Sequence, residues 1–195
     1  MATEKGVALA ANPQMNKVIA LVGMPGAGKS EVADIFQKFR FRIIHFGDVT
    51  WQELKNLGLE YNEQNERHTR ELLREKHGMA AYAILNLPRI DSALESSDVL
   101  VDGLYSWEEY LLLKKKYDDH LKVVAVWASP CCRYQRLGSR ATRPLTIMEA
   151  ASRDTAEIEK LNKGGPIAMA DFTITNESSL KALVEETEGV IKELK

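Results

Sequence analysis

Eight consecutive residues near the N-terminus have the composition and spacing of a loop that binds the phosphates of a nucleoside triphosphate. They run from Gly23 to Ser30 (G-M-P-G-A-G-K-S) and fit the pattern G-x-x-x-x-G-K-[ST]. Glycines let the backbone come close enough for its N–H groups to surround a polyphosphate. We expect Lys29 to contact the β- and γ-phosphates and the Ser30 hydroxyl to hold Mg²⁺. The predicted nucleotide-binding residues of the loop are Gly23, Gly26, Ala27, Gly28, Lys29 and Ser30.

The residues on either side of this loop predict a strand before it and a helix after it. Residues 18–22 are five apolar residues, which is typical of a short buried strand. Apolar residues recur at helical spacing behind the loop, at Val32, Ala33, Ile35, Phe36 and Phe39. Bound phosphates would lie at the positive end of a helix that starts near Lys29. Strand, glycine-rich turn and helix in this order predict a P-loop that binds a nucleoside triphosphate such as ATP.

Two aspartates follow predicted strands. Asp102 ends the apolar segment 98–102, where a carboxylate can hold Mg²⁺, often through water. Asp102 could instead cap the next helix, but Ser106 is better placed to do so. Asp48 follows the segment 42–46, and it either caps the helix after it or orients and deprotonates a phosphoryl acceptor. The sequence leaves both roles of Asp48 open.

Three arginines lie on one face of a predicted polar helix over residues 62–77. Arg67, Arg70 and Arg74 are spaced at i, i+3 and i+7, and clustered guanidinium groups suit bidentate phosphate binding. The alternative is a solvated helix, because Glu63 and Glu66 lie four residues before Arg67 and Arg70.

A denser basic cluster surrounds the loop 142–144, between two further predicted helices. Its members are Arg133, Arg136, Arg140, Arg143 and Arg153. Mobile arginines that close over a transferring phosphoryl group would position it and neutralise its developing charge, so we expect a lid here. The alternative is a solvated surface on which the aliphatic stems pack down.

Hydrophobic periodicity alternates between strands and helices along the chain. Strands are predicted at 18–22, 42–46, 98–102, 123–128 and 172–175. The predicted helices lie between and after the strands, at 29–39, 49–57, 62–77, 79–94, 106–117 and 146–162, with two more that start at 130 and at Ser178 or Ser179. We expect a bend or restart of the helix near Pro88 and a break in the chain at 164–166. Strands separated by helices predict an α/β fold with a five-stranded, parallel, doubly wound sheet. The strand ends that carry the P-loop, Asp48 and Asp102 should then converge on one site. We expect His45 to be a satisfied core or edge histidine rather than a catalytic one.

The composition is that of a globular protein with local rather than global affinity for anions. The chain has 195 residues and a net charge of −2, which gives no global reason to expect binding to nucleic acid or to an anionic membrane. No run of 18 apolar residues predicts a membrane span. The two cysteines, Cys131 and Cys132, are adjacent, which disfavours a structural disulfide and fits a cytoplasmic location. We expect residues 1–16 to form a flexible leader and 17–195 a single domain, and the sequence leaves the oligomeric state open.

The set of motifs, in this order, resembles the P-loop nucleoside monophosphate kinase group, which includes adenylate kinase and dephospho-CoA kinase. It is most similar to an adenylate-kinase-related family of small P-loop proteins, over about residues 17–194. The motifs that carry the resemblance are the P-loop, Gly47-Asp48-Val49, Leu73 to Ala80, Val101-Asp102-Gly103, Ala128 to Pro130, Ser152 to Asp154 and Ala170 to Asn176. The resemblance implies a three-layer α/β/α P-loop NTPase fold with the strand order of the kinases. It also implies a helical acceptor-binding region at about 48–95 and a short lid at about 138–147.

Two departures from adenylate kinases concern arginines that would bind the phosphate of the acceptor. In those enzymes an arginine lies a few residues after Gly-Asp, whereas this chain has Thr50-Trp51-Gln52 there. They also have Asp-Gly-Phe-Pro-Arg, whereas this chain has Asp102-Gly-Leu-Tyr-Ser106. We hypothesise that Arg67, Arg70 or Arg74 takes over this role.

Three functions are compatible with these residues. The first is an ATP- and Mg²⁺-dependent kinase that transfers the γ-phosphoryl group to a small nucleotide or nucleotide-like acceptor. The second is phosphorylation of a hydroxyl, as in dephospho-CoA kinase, with Asp48 as the base. The third is a nucleotide-dependent switch or assembly factor with weak ATPase activity and a protein or RNA partner. For a kinase, we expect catalysis by Lys29, Asp48, Asp102, Arg136 and Arg140. The P-loop and Arg136 would bind the nucleotide, and Ser30 and Asp102 would bind Mg²⁺. The acceptor would be bound by Asp48, Arg67, Arg70, Arg74, Gly103, Arg143 and Arg153.

Overall fold

Five parallel strands form one sheet in the order β2-β3-β1-β4-β5 in a computed structural model that describes residues 16–195. The strands are β1 (Val18–Val22), β2 (Arg42–His45), β3 (Val99–Asp102), β4 (Leu121–Trp127) and β5 (Phe172–Thr175). The helices are α1 (Lys29–Lys38), α2 (Asp48–Asn56), α3 (Glu63–His77), α4 (Ala81–Leu94), α5 (Trp107–Tyr117), α6 (Pro130–Gly138), α7 (Ile147–Leu161), α8 (Gly164–Ala168) and α9 (Leu180–Leu194). The predicted five-stranded parallel α/β fold is confirmed.

The central strand β1 is apolar and buried at every position, so it packs against a core on each face of the sheet. Side chains of a strand point alternately to the two faces. Ala20 and Val22 of β1 accordingly pack into one hydrophobic core, with residues of α4 and α5 such as Tyr82 and Leu113. Ile19 and Leu21, which alternate with them along the strand, pack into the other core, with residues of α1 and α9. Burial of each large aliphatic side chain contributes about 1.5–3 kcal/mol to folding.

Side-chain caps fix where several helices begin. Ser106 and Glu109 form a reciprocal capping box at the start of α5, and Thr146 and Glu149 form another at the start of α7. Each pair satisfies two backbone N–H groups that would otherwise lack a partner. Ser179 caps α9 through the backbone N–H of Ala182. These helix starts are as the sequence predicts.

The predicted break at residues 164–166 and a restart of the helix at Pro88 do not occur in the described chain. Residues 164–166 form the start of the short helix α8 rather than a break, since proline is well tolerated in the first turn of a helix. Helix α4 continues through Pro88 without a restart. A proline costs one backbone hydrogen bond, and the fully buried Ile90 and the nearly buried Tyr82 hold the helix against the core on either side of it.

Two further predictions concern the chain as a whole. The leader predicted for residues 1–16 lies, except for Asn16, outside the described residues. Within residues 16–195, no helix has the length and apolar character needed to cross a membrane.

Candidate functional site

The P-loop joins β1 to α1 and has a backbone that only glycine accommodates. Gly28 has φ = 102°, and a Cβ atom there would lie 2.2 Å from the side-chain amide nitrogen, Nδ2, of Asn176. A Cβ atom at Gly23 would lie 2.4 Å from the carbonyl oxygen of Val126. The Asn176 amide also donates to the carbonyl of Ala27 at 2.9 Å, so the end of β5 braces the loop. The glycines are therefore required by close approach as well as by conformation.

Lys29 is held across the mouth of the loop. Its Nζ donates to the carbonyl oxygens of Gly23 at 2.8 Å and Met24 at 3.3 Å. Burial and, after it, the nearby ammonium of Lys163 lower the pKa of Lys29 to about 7. An anionic ligand at this position would favour the charged form of the ammonium.

A cleft of 690 Å³ opens beside Lys29, over the carboxyl ends of the strands. Its lining includes the predicted site residues Gly26, Gly28, Lys29, Ser30, Asp102, Gly103, Arg136, Arg140 and Arg153. The charged side chains of the lining are the cations of Lys29, Arg136, Arg140, Arg153 and Lys163 and the carboxylates of Glu31, Asp102 and Glu157. In a chain with a net charge of −2, this local positive excess suits an anionic ligand.

Asp102 and Ser30 offer oxygen ligands for a divalent cation. Asp102 ends β3 beside Leu21 of β1, and both Asp102 and Ser30 line the cleft. Within residues 16–195, no group of three or more His, Cys, Asp or Glu side chains could hold a metal. A hydroxyl, a carboxylate, phosphate oxygens and water are the ligands that Mg²⁺ takes in such sites, so the donor set fits. His45 lies on the edge strand β2 with Nδ1 at 3.0 Å from Oδ2 of Asp102, which confirms it as a satisfied edge histidine.

Three arginines of the predicted lid cluster line the cleft. Arg136 donates from Nη2 to the carbonyl oxygen of Asn176 at 2.9 Å, while its buried Nη1 has no hydrogen-bond partner among the described residues. Arg140 has no hydrogen-bond or ion-pair partner within the described part of the chain. Arg153 pairs with Glu157 at 3.3 Å. These guanidinium groups keep donors available for an anion.

Arg133 has a structural role instead. It is 4% exposed and binds both carboxylate oxygens of Asp154, at 2.9 and 2.5 Å. It also donates to the carbonyls of Ala128 at 3.0 Å and Pro25 at 3.1 Å. Its donors thus join α6 to α7 and to the P-loop, and the expectation that Arg133 belongs to a mobile lid is wrong.

Arg143 does not line the cleft. It contacts Glu66 of α3 at 3.1 Å and lies over the ring of Tyr61. Burial favours the neutral form of Glu66, but the hydrogen bonds from Arg143 and Tyr61 outweigh burial and lower the pKa of Glu66. The segment between α6 and α7 is thereby tied to α3.

The three arginines of α3 have different environments, and none of them lines the cleft. Arg67 is exposed and pairs with Glu71 at 3.1 Å, rather than with Glu63. Arg70 pairs with Glu66 at 3.2 Å, as the solvated-helix alternative predicts. Arg74 lies over the ring of Tyr82 at 5.4 Å, and its buried Nε has no hydrogen-bond partner in the part of the chain that the structure describes. Of the three, Arg74 is the residue whose donor remains to be satisfied.

Asp48 lies outside the cleft. It is the first residue of α2, and its carboxylate accepts from Arg89 of α4 at 2.8 Å. Helix α2 has no side-chain cap, so the capping role considered for Asp48 is wrong.

The cleft is also lined by residues to which the sequence analysis gave no role in the site. Tyr105, Glu157, Lys163 and Asn176 all line it. Lys163 and Glu157 form a buried ion pair, and Asn176 braces the P-loop. A lysine just after a helix, six residues from a glutamate, has no distinctive spacing. Only the fold shows that the two side chains face inward.

Comparisons with known proteins identify the family of the chain. Residues 19–160 match the family described as an AAA domain. A UPF0200 protein of Pyrococcus abyssi is 31% identical over 181 residues, which are 91% of this chain and 96% of the relative. The chain belongs to the UPF0200 family and contains an AAA domain. Another UPF0200 relative, from Methanocaldococcus jannaschii, is 32% identical over 180 residues and covers 91% of this chain and 90% of the relative.

Solved structures similar to the chain include small kinases. The protein TT1252 of Thermus thermophilus superposes with a TM-score of 0.66 at 19% identity, covering 93% of this chain and 100% of that one. A gluconokinase of Sinorhizobium meliloti gives a TM-score of 0.58 at 16% identity, covering 93% and 95%. The dephospho-CoA kinase of Campylobacter jejuni gives 0.55 at 17% identity, covering 93% and 98%. The predicted resemblance to P-loop kinases is thus confirmed for the fold.

Proposed function

We propose that the chain is an ATP- and Mg²⁺-dependent phosphotransferase whose acceptor is a small nucleotide or nucleotide-like molecule. The observation that carries the proposal is the convergence of Lys29, Ser30 and Asp102 with three arginines on one cleft at the mouth of the P-loop. Phosphoryl transfer depends mostly on positioning and charge neutralisation, which these groups supply. The kinases among the similar structures support the same chemistry.

Each group has a distinct task in this proposal. The P-loop N–H groups and Lys29 would bind the β- and γ-phosphates, and the free Nη1 of Arg136 would donate to them. Arg140 and Arg153 would stabilise charge on the transferring group from the open side of the cleft. Ser30 and Asp102 would hold Mg²⁺, which neutralises charge on phosphate oxygens when bound.

We place the acceptor between the end of β3 and helices α2–α4, with residues 138–147 as the lid. The contact between Arg143 and Glu66 supports this arrangement because it joins the proposed lid to α3. The unpartnered Nε of Arg74 supplies a donor for an anionic acceptor on the same side. Arg74 is accordingly the residue that we assign to the acceptor phosphate in place of the two arginines that adenylate kinases have.

A phosphate acceptor fits the geometry better than a hydroxyl. A hydroxyl acceptor needs a base whose carboxylate is free to accept its proton, and the carboxylate of Asp48 is instead paired with Arg89 at 2.8 Å. For a phosphate acceptor, Asp48→Asn should change turnover only slightly. A loss of more than about 100-fold would favour hydroxyl chemistry with Asp48 as the base.

The test is ADP production from Mg-ATP against a panel of acceptors, with Lys29→Ala as the blank. The panel comprises AMP, CMP, UMP, GMP, dTMP, the deoxy forms and dephospho-CoA. We expect saturable stimulation by at least one nucleoside monophosphate and a loss of about 100-fold or more in the variant. Tight ATP binding with no stimulation by any acceptor would contradict the proposal and favour a nucleotide-dependent switch.

A further inference from the structure

Lys163 is a buried cation at the proposed nucleotide site. It is 2% exposed, lines the cleft and follows α7, where Asn162 turns the chain with φ = 51°. Burying an ammonium is costly unless it is paired. Its partner in the cleft is the carboxylate of Glu157, and its stem directs the ammonium over the ring of Tyr105 at 5.4 Å.

The pairing of Lys163 is incomplete. An ammonium has three donors, and a single carboxylate and the face of an aromatic ring do not satisfy all of them. Glu157 is also shared, because its other oxygen accepts from Arg153 at 3.3 Å. Two cations therefore compete for one carboxylate.

The charge around this pair is unbalanced. After burial, the ammonium of Lys163 is the main cause that lowers the pKa of Lys29, and the carboxylates of Glu157 and then Asp102 oppose it. With both lysines charged, Lys29, Lys163 and Arg153 give three positive charges against two negative ones. A further anion in the cleft would restore neutrality, and a phosphate chain brings several negative charges to this position.

We infer that Lys163 is a ligand of the nucleotide phosphates that is held by Glu157 and exchanges Glu157 for phosphate when the nucleotide binds. This inference rests on the proposed function only in taking the cleft as the nucleotide site. Glu157 positions the ammonium of Lys163 in the free protein, and it remains paired with Arg153 after the exchange. The ring of Tyr105 limits the directions that the ammonium can take.

The exchange gives the two members of one ion pair opposite effects on binding. Lys163→Met removes a charge-assisted hydrogen bond to phosphate, so the Kd for Mg-ATP should rise about 10- to 100-fold. Glu157→Gln removes the competing carboxylate, so the Kd should fall about 3- to 10-fold. A pair that only stabilised the fold would not be expected to give opposite shifts.

The experiment is calorimetric titration of the full chain with Mg-ATP and, separately, with inorganic triphosphate. The variants are Lys163→Met, Glu157→Gln and Lys163→Arg, and the matched controls are Lys160→Met and Glu159→Gln on the exposed side of α7. We expect opposite shifts for the first two variants with both probes, near-wild-type binding by Lys163→Arg and no shift for the controls. Because Glu157→Gln retains Lys163, its shift tests the exchange even if Lys163→Met fails to fold.

The outcomes separate this inference from the proposed function. Equal and weak Mg-ATP binding by the wild type and Lys29→Ala would refute the nucleotide site itself. If the wild type binds and Lys29→Ala does not, weaker or unchanged binding by Glu157→Gln would overturn the exchange and leave the nucleotide site standing.

Discussion

Glu109 makes the stability of the protein depend on pH in a way that its substitution should remove. It lies in α5 with no exposed surface, and Oε2 accepts from the backbone N–H groups of Tyr105 at 2.7 Å and Ser106 at 3.3 Å. Its other oxygen, Oε1, is buried and has no hydrogen-bond partner within residues 16–195. Burial raises the pKa of Glu109 to about 7 from 4.5, even though these hydrogen bonds and the cation of Arg74 oppose the shift.

The sign and size of the effect follow from proton linkage. Between pH 4.5 and pH 7 the folded state keeps a proton on Glu109 that the unfolded state releases, so the free energy of unfolding falls as pH rises and levels off above pH 7. At about 1.4 kcal/mol per pKa unit, the contribution lost between pH 5 and pH 8 is about 2–3 kcal/mol. Glutamine at this position stays neutral and can keep the capping box.

The assay is urea denaturation of the wild type and Glu109→Gln at pH 5, 6, 7 and 8. The variant should gain about 2–3 kcal/mol in unfolding free energy relative to the wild type over this range. Other titrating groups contribute equally to both proteins and cancel in the difference. Glu75→Gln, on the exposed side of α3, is the control and should show a flat difference. A difference for Glu109→Gln that stays constant with pH would refute the reasoning.

Three further predictions concern single residues. Gly28→Ala should abolish Mg-ATP binding in calorimetry, because Gly28 has φ = 102° and the added Cβ would lie 2.2 Å from the side-chain amide nitrogen of Asn176. Gly189→Ala is the control, since a Cβ there meets no described atom within 4 Å. It should bind Mg-ATP normally and gain up to about 1 kcal/mol of stability in α9. Arg133→Met should lower the free energy of unfolding, measured in urea, by about 3–5 kcal/mol, because it leaves the buried carboxylate of Asp154 without its ion-pair partner. A loss below about 1 kcal/mol would contradict the structural role of Arg133. Arg74→Ala should raise the KM for the acceptor about 10-fold or more and change the KM for ATP little. Arg67→Ala is the control: it removes only an exposed ion pair and should change neither KM. Equal effects of the two substitutions would contradict the assignment of Arg74 to the acceptor.

The fold and the P-loop were predictable because their signals are local. Residues 18–22 are apolar at every position, and such a run has few alternatives to a buried strand. The capping boxes at Ser106 and Thr146 mark helix starts through residues three positions apart. The conformation of the P-loop is dictated by Gly28 and its neighbours, which lie within one short segment.

The roles of the arginines were not predictable in the same way, because they depend on partners distant in sequence. Arg133 and Arg136 are three residues apart on α6, yet one is bound to Asp154 and the other keeps a free donor in the cleft. Arg143 is held by Glu66, which lies 77 residues earlier. Spacing identifies a helical face, but tertiary packing decides which side chains that face meets.

Buried ion pairs escaped the sequence analysis for the same reason. Lys163 meets Glu157 of α7 where the helix ends at Leu161 and the chain turns at Asn162, which its position in the sequence does not reveal. Asn176 follows β5 and reaches the P-loop because β5 lies beside β4 in the sheet. Residues of ordinary type at ordinary spacing gain a role in the site through the topology.

The proposed transfer of the γ-phosphoryl group of ATP to a small acceptor is tested by following the fate of that group. The wild type is incubated with Mg²⁺, ATP labelled in the γ-phosphate and the panel of acceptors, and the products are separated. We predict that one acceptor carries the label in an amount equal to the ADP formed, and that Lys29→Ala yields no such product. Label recovered only as inorganic phosphate, at a rate that no acceptor changes, would contradict the claim.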